Sequence, residues 1–342
     1  MRLRSGDCCS TSPERDLGRE ADVKNENSGI AELNDRSGTA AILMATWNGA
    51  AFLDEQLRSI ADQSHPLVDV WVSDDGSTDD TPAILADWQR RWSKGRFEIL
   101  KGPQKGFSEN FRSLITNAEI DADYFAFSDQ DDIWETVKLE KAIDWMKSRR
   151  EFTPLLFCSR TLNVTASGTT MGLSPLFAKE PSFRNALVQS LAGGNTMLLN
   201  RSARNKLSEA SLRSNFVSHD WWAYLMISGS GGEVHYSSTP FVRYRQHGAN
   251  QVGANTSWRA RQLRLQLLLR GQFLRWTDLN LKGLECNRDL LTQDATATTD
   301  WFAQSRQGSL LYRLRNLRRS GVYRQTLAGN VMLWAATVFG WI

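Results

Sequence analysis

An α/β fold with a mostly parallel central sheet flanked by helices is what this 342-residue chain predicts. Three observations lead there. Apolar, strand-like runs at Ala40 to Ala45, Val70 to Val72 and Tyr124 to Phe127 each end in a polar or acidic loop. A helical pattern follows each loop. All three units fall within about a hundred residues, the βαβ rhythm of a parallel sheet.

The first strand runs into Thr46-Trp47-Asn48-Gly49 before a helix over 52–63, and the second into Ser73-Asp74-Asp75-Gly76-Ser77-Thr78-Asp79-Asp80 before a helix over 82–92. The third runs into Ser128-Asp129-Gln130-Asp131-Asp132-Ile133-Trp134, with a helix expected to start over 135–139. Ligands of open α/β sheets gather at the carboxyl ends of the strands, so these loops predict one shared site. The last loop packs three carboxylates into four positions, and such acids repel one another unless something positive sits among them. Mg²⁺ and Mn²⁺ take oxygen ligands from one or two carboxylates, water and substrate phosphate, which points to a nucleotide diphosphate held through a metal. A plainer reading stands beside it: Asn48-Gly49 as a simple turn, and Asp74, Asp79 and the acid cluster as helix caps.

Taken together, Ala45-Thr46-Trp47-Asn48-Gly49, Val72 to Asp79 and Asp129-Gln130-Asp131-Asp132 resemble the inverting glycosyltransferases of family 2, which have the GT-A (nucleotide-diphospho-sugar transferase) fold. The resemblance implies that Thr46, Asn48 and Asp75 hold the nucleoside of a nucleotide-diphosphate sugar. It also implies that Asp131 ligates the metal and that Asp129 faces the ribose or donor sugar. In that family a general base follows the metal motif by roughly ninety residues, which falls on Asp220 in Ser218-His219-Asp220-Trp221-Trp222. The acceptor hydroxyl must lose a proton as it attacks the anomeric carbon opposite the leaving diphosphate, so one carboxylate and one metal suffice. Without the upstream motifs, Asp220 reads as a helix N-cap before a buried aromatic stripe rather than as a base.

Val242 to Gly253 and the longer form Asp129 to Trp134 followed by Lys138-Leu139 resemble the rhamnosyltransferase-like branch of that family. The resemblance gives His247 to the metal shell or the diphosphate, and Arg243 and Arg245 to the diphosphate charge. Gly193-Gly194-Asn195-Thr196 matches the acceptor-side loop, where bare backbone at Gly194 would let a sugar approach closely. Donor and acceptor expectations follow: dTDP-rhamnose, and a lipid-linked or polysaccharide acceptor. The alternative is a non-catalytic nucleotide-sugar-binding or scaffold protein of the same fold, which would have no need of Asp220.

Composition bounds the rest. The chain is 41% hydrophobic, enough for a substantial core, and its length suggests a catalytic domain over 39–256 with an extension over 257–342, behind a polar tail over 1–38 expected to be disordered. Four cysteines without CxxC spacing predict neither a disulfide framework nor a zinc site. No secretory signal is visible, so a cytoplasmic enzyme is expected, and the sequon at Asn163 carries no weight. Nothing reads as a dinucleotide fingerprint, a Walker A loop or a nucleophile elbow. Residues 258–325 hold thirteen Lys and Arg against five Asp and Glu, an excess of +8 within a total of +3, leaving the rest at −5. No nucleic-acid module matches the basic stretch. Arg313, Arg315, Arg318, Arg319 and Arg324 precede an apolar run of sixteen residues, Leu327 to Ile342, too short for the roughly twenty residues that span a bilayer. That order fits in-plane attachment to an anionic membrane surface, or a terminal helix packed on the domain or on a second copy.

Overall fold

Side-chain alternation along β1 (Ala40–Thr46) sets the layers of the molecule. Ala41 and Leu43 enter one hydrophobic core while Ala40, Ile42 and Met44 enter another, because successive side chains of a strand take opposite faces. In β2 (Val68–Asp74), Trp71 goes to the first core and Val68, Val70 and Val72 to the second. Strands covered on both faces read as unbroken apolar runs, which is why these were legible as buried strands. The computed structural model describes residues 38–150, 152–247 and 272–342. The expected tail, but for Gly38, the domain boundary near 256 and the leucine–arginine stretch at 258–270 lie outside the described residues.

The main sheet has seven strands. With β3 (Phe97–Lys101), β4 (Tyr124–Ser128), β6 (Leu155–Ser159), β9 (Leu198–Asn200) and β10 (Glu233–Ser237), its order is β10-β6-β9-β4-β1-β2-β3. β1 pairs in parallel with β2 and β4, and β9 alone runs antiparallel, between β4 and β6. The fold is therefore mixed α/β with a mostly parallel sheet, as expected. Helices α1 (Leu53–Ala61), α2 (Thr81–Arg91) and α4 (Lys138–Lys147) cover one face, and α3 (Phe107–Thr116), α6 (Arg201–Arg213) and α7 (His219–Gly229) the other. The short α5 (Phe183–Ala186) joins the latter.

A second sheet of four strands has the order β5-β11-β7-β8, from β5 (Ile133–Trp134), β7 (Leu162–Thr165), β8 (Thr170–Leu173) and β11 (Val242–Gln246). β5 pairs antiparallel with β11, Trp134 opposite Val242 and Ile133 opposite Arg243. This pairing draws the segment after the acid turn into a ladder, so helix α4 begins at Lys138 rather than at 135 as expected.

The C-terminal region is helical: α8 (Gln272–Cys286), α9 (Gln293–Gln304), α10 (Leu310–Ser320) and α11 (Leu327–Phe339). Thr292, Ser309 and Thr326 cap the last three by accepting from the amides of Ala295, Tyr312 and Gly329. Leu284, Phe302, Leu317, Leu333, Ala336 and Ile342 join the same core as Leu43 and Phe127, so the terminal helices are seated on the sheet layer. No helix among the described residues is long and apolar enough to cross a membrane.

A buried imidazole lies among the core residues. The His219 ring stacks on Phe111 at 3.7 Å between centroids and meets Phe127 edge-on at 4.8 Å, and neither ring nitrogen has a hydrogen-bond partner. Burial lowers its pKa to about 4, against the opposing charge of Asp220. The unfolded chain therefore binds a proton below about 6.5 that the folded chain refuses until about 4, and stability is lost as pH falls through that window. We expect His219→Leu to flatten this dependence: between pH 7 and 4.5, the stability difference between wild type and variant in urea titrations should shift by roughly 2–3 kcal/mol in the variant's favour. Parallel pH profiles would show that His219 is not held neutral.

Candidate active site

Three loops at the carboxyl ends of β1, β2 and β4 are tied together by side chains. Asp74 is the hub of the first two: it accepts from Thr46 Oγ1 (2.9 Å), from the Ser77 amide (2.9 Å) and from Ser77 Oγ (2.6 Å). It is thus the organiser of the turn and not a helix cap. Asn48, at φ +48°, donates its amide to Ser77 Oγ (2.8 Å) and accepts the Thr78 amide on Oδ1 (2.8 Å). The left-handed backbone there is one that asparagine tolerates better than most residues. Asp75 accepts the amides of Gln104 (2.5 Å) and Gly106 (3.0 Å), bringing the loop after β3 to the same rim. Asp79 accepts the amides of Thr81 and of Ala50, serving both the start of α2 and the first loop.

The acid turn is joined to the first loop by Gln130, which accepts the Trp47 amide on Oε1 (2.8 Å) and donates Nε2 to the Trp47 carbonyl (3.0 Å). Gly49 is required beside it, since a Cβ there would collide with the Gln130 amide. The loops that bear Thr46, Asn48 and Asp75 are thus bonded to one another, and the first of them is joined to the acid turn through Trp47 and Gln130. Thr46 itself is 1% exposed with its hydroxyl committed to Asp74.

Asp132 carries the next layer. Its buried carboxylate accepts Asn195 Nδ2 at 2.5 Å on one oxygen and the Arg245 amide at 3.1 Å on the other. Asn195 lies in the 3₁₀ turn Gly194–Thr196, so this bond fixes the glycine loop against the acids. A Cβ at Gly194 would strike the His219 ring, which leads directly to Asp220 in the first turn of α7. Ser218, not Asp220, is the N-cap residue of that helix. Burial raises the Asp129 pKa well above the carboxylate range, and the charges of Asp132, Asp131 and Asp220 add to the effect. Asp132 is raised too, by burial and by Asp131, with Asn195 and Arg245 pulling the other way. The charges of the acid turn and of Asp220 thus act together on Asp129.

Two cationic groups expected at the diphosphate are engaged elsewhere. Arg245 is 2% exposed, and its guanidinium donates to the carbonyls of Asp131 (2.9 Å) and Ala166 (2.5 Å) and to the Glu55 carboxylate. It lies over the Phe52 ring at 4.8 Å. A guanidinium with every nitrogen committed braces the turn and is not presented to a ligand. Arg243 pairs with Glu135 at 2.7 Å on the surface. Both arginines alternate onto one side of β11, but its pairing with β5 and β7 sets them against carboxylates and carbonyls of this chain.

His247 follows β11 directly, and its Nε2 lies 2.7 Å from Asp131 Oδ2. Ligand bonds of about 2.1 Å in an octahedral shell set neighbouring donors about 3 Å apart, so this pair has the spacing of two adjacent ligands, and its carboxylate is the ligand type that Mn²⁺ and Mg²⁺ take. Among the described residues no group of three His, Cys, Asp or Glu side chains gathers at one point to hold an ion. A cation on this pair would complete its shell from diphosphate and water.

Sequence reasoning did not single out Glu55, Asp132, Lys138 or Asn195 as site residues. Lys138 is 2% exposed, with its ammonium 3.4 Å from the centroid of Trp134 and no hydrogen bond. Burial lowers its pKa to about 7, while Asp132 acts to raise it. Its position after the acid turn was visible; its burial beneath that turn depends on where α4 starts.

Residues 41–204 match the profile of Glycosyl transferase family 2. The dTDP-rhamnosyl transferase RfbG of Shigella flexneri is 29% identical over 233 residues, 66% of this chain and 78% of that protein. The putative teichuronic acid biosynthesis glycosyltransferase TuaG of Bacillus subtilis (strain 168) is 23% identical over 220 residues, 64% of this chain and 83% of its own length. Among solved structures, S. aureus TarS 1-349 in complex with UDP-GlcNAc aligns with a TM-score of 0.48 at 14% identity, covering 89% of this chain and 91% of that one. With its three loop motifs laced at the carboxyl ends of a mostly parallel sheet, this chain carries a glycosyl transferase family 2 domain over residues 41–204 and is a glycosyltransferase.

Proposed function

We propose that this glycosyltransferase transfers rhamnose from dTDP-rhamnose to a lipid-linked or polysaccharide acceptor by direct displacement with inversion, using Mg²⁺ or Mn²⁺. The observation that carries the reading is the bond from Asn195 to Asp132, which ties the glycine turn packed against His219, and with it the start of the helix that bears Asp220, to the strand-end acids that would hold the donor. The likeness to RfbG supports rhamnose as the sugar, and the likeness to TuaG supports a cell-envelope polymer as the product. Asn48 and Asp75 line the nucleoside end, with buried Thr46 holding Asp74 behind them; Asp129 faces the ribose or sugar, and the loop of Gly194, whose bare Cα makes room for the His219 ring, lies on the acceptor side. Asp131 and His247 hold the cation, which when bound neutralises the charge developing on the leaving diphosphate.

Asp220 accepts the proton of the acceptor hydroxyl as that oxygen attacks the anomeric carbon. The new C–O bond forms while the bond to the diphosphate oxygen breaks, and its electron pair leaves with the nucleoside diphosphate. One displacement inverts the anomeric centre and needs no covalent enzyme intermediate. Arg245, through the carbonyl of Asp131 and the carboxylate of Asp132, keeps the acid turn in place during this exchange. We assign the chemistry to residues 39–256, and to the extension 257–342 an in-plane attachment at the inner face of the cell membrane, where a lipid-linked acceptor would lie.

A screen of nucleotide-sugar donors that follows release of nucleoside diphosphate tests the donor, with dTDP-rhamnose expected to turn over fastest. Asp131→Ala should lower turnover by about a thousandfold and weaken donor binding, since a catalytic cation supplies several kcal/mol, while thermal stability changes little. Undiminished activity under excess chelator would sink the metal-dependent reading. Asp220→Asn keeps the shape of the side chain but cannot take the proton, so transfer should fall by about two to four orders of magnitude with donor affinity retained. Equal losses of affinity and rate would instead make Asp220 a support of the donor site.

A further inference from the structure

Helix α11 has two apolar faces, and only one is used by the core. Leu333, Ala336 and Thr337 point inward and are buried. Leu327, Val331, Trp334 and Val338, spaced i, i+4, i+7 and i+11, form a stripe on the outside together with Met332 and Phe339, and Leu327 is 82% exposed. Beside this stripe, α10 presents Leu311, Leu314, Arg315 and Arg318 at i, i+3, i+4 and i+7. Between the two helices lies a groove of about 680 Å³, lined by Leu311, Leu314, Arg315, Arg318, Arg319 and Trp334. The three arginines are exposed, and among the described residues they make no ion pair.

We propose that this α10–α11 face is the surface by which the protein docks onto an anionic lipid bilayer, with Arg315, Arg318 and Arg319 on lipid phosphates and the α11 stripe in the headgroup–acyl boundary. The inference rests on the membrane-side placement of the extension proposed above and names the surface responsible. Three features select a bilayer. The apolar stripe and the cationic groups are contiguous, as in helices that lie in the interface plane. Trp334, Trp341 and Tyr312, all partly exposed, are the amphipathic rings favoured at headgroup depth, and Phe339 stacks on Trp341 at 4.8 Å. Finally, α10 and α11 contain no Asp or Glu, so a two-fold contact between copies through this face would set arginines near arginines with no acid to answer them. At thirteen residues α11 is about 20 Å long, short of the roughly 30 Å hydrocarbon core, so it lies in the surface and does not cross it.

The charge of the remaining chain orients the molecule: with +8 on residues 258–325 and −5 elsewhere, an anionic surface attracts the extension and repels the rest. Bound this way, the enzyme searches for a lipid-linked acceptor in two dimensions.

Co-flotation of the full chain with vesicles of phosphatidylethanolamine and phosphatidylglycerol, against vesicles of phosphatidylcholine alone, tests the proposal. Binding is expected to the anionic vesicles only and should fall as salt rises. The triple variant Arg315→Gln, Arg318→Gln, Arg319→Gln should bind about a hundredfold more weakly, from about fivefold per arginine. The double variant Leu311→Ser, Val331→Ser, both at exposed positions, should also detach. Both variants should keep the wild-type rate of nucleoside diphosphate release on a soluble acceptor, which shows that they are folded. Equal binding to neutral and anionic vesicles, unchanged binding by either variant, or no vesicle binding with a dimer in sedimentation that Val331→Ser dissociates would each overturn it. Vesicle binding without sugar transfer by the wild type would leave the docking surface standing and refute the proposed reaction instead.

Discussion

The buried carboxylate of Asp132 is the constraint on which the site depends. A carboxylate taken out of water must be answered by hydrogen bonds, and Asp132 finds two: the side-chain amide of Asn195 and the backbone amide of Arg245. Each partner belongs to a different part of the chain. Asn195 brings the glycine turn and, through the close approach of Gly194 to His219, the first turn of α7 with Asp220. Arg245 brings β11, and with it His247 to Asp131. A single desolvated group thus assembles segments more than a hundred residues apart.

That assembly has an electrostatic cost which shapes the chemistry. Asp129, Asp131, Asp132 and Asp220 act on one another, and burial raises Asp129 and Asp132 well above the usual carboxylate range. The cationic side chains nearby are committed: Arg245 to carbonyls and Glu55, Arg243 to Glu135, and Lys138 to a place beneath the turn against Trp134. Among the described residues these neighbouring cations are thus taken up within the chain, which suits a donor that arrives with a divalent ion and a diphosphate. The arginines act as braces, and bracing matters because a misplacement of about 1 Å in a catalytic group can cost about a hundredfold in rate.

The C-terminal helices show how one amphipathic stretch serves two environments. Their inward residues complete the core that Leu43 and Phe127 begin, while the outward residues of α10 and α11 form an apolar and basic surface. Packing on the domain and attachment to a surface were alternatives in the sequence; in the structure one side of α11 packs on the domain and the opposite side is exposed. The C-terminal Arg318 and Arg319 also lie in the last turn of α10, where cations are favoured by the helix dipole, so their charge stabilises the helix that displays it.

Local sequence determined the strands, the three loops and the family. Apolar runs of three to six residues ending in Asn-Gly, Asp-Asp-Gly-Ser and Asp-Gln-Asp-Asp carry their meaning in adjacent residues, and parallel sheets put such endings on one edge. The place of Asp129 and Asp131 at a strand end was readable for that reason, whereas Asp220, in the first turn of a helix, is picked out only by the family's spacing. What the sequence could not decide was which charged side chain answers which. Arg245 reads as a ligand for diphosphate, since an arginine two positions before a histidine carries no mark of burial; the pairing of β11 with β5 and β7 turns it inward onto Asp131, Ala166 and Glu55. Asp132 reads as one more acid of a cluster, and only the approach of Asn195 makes it the keystone. Motifs are short-range and survive in one dimension. The partners of a buried charge lie across the fold, so tertiary structure alone decides whether a charged group faces a ligand or holds the site together.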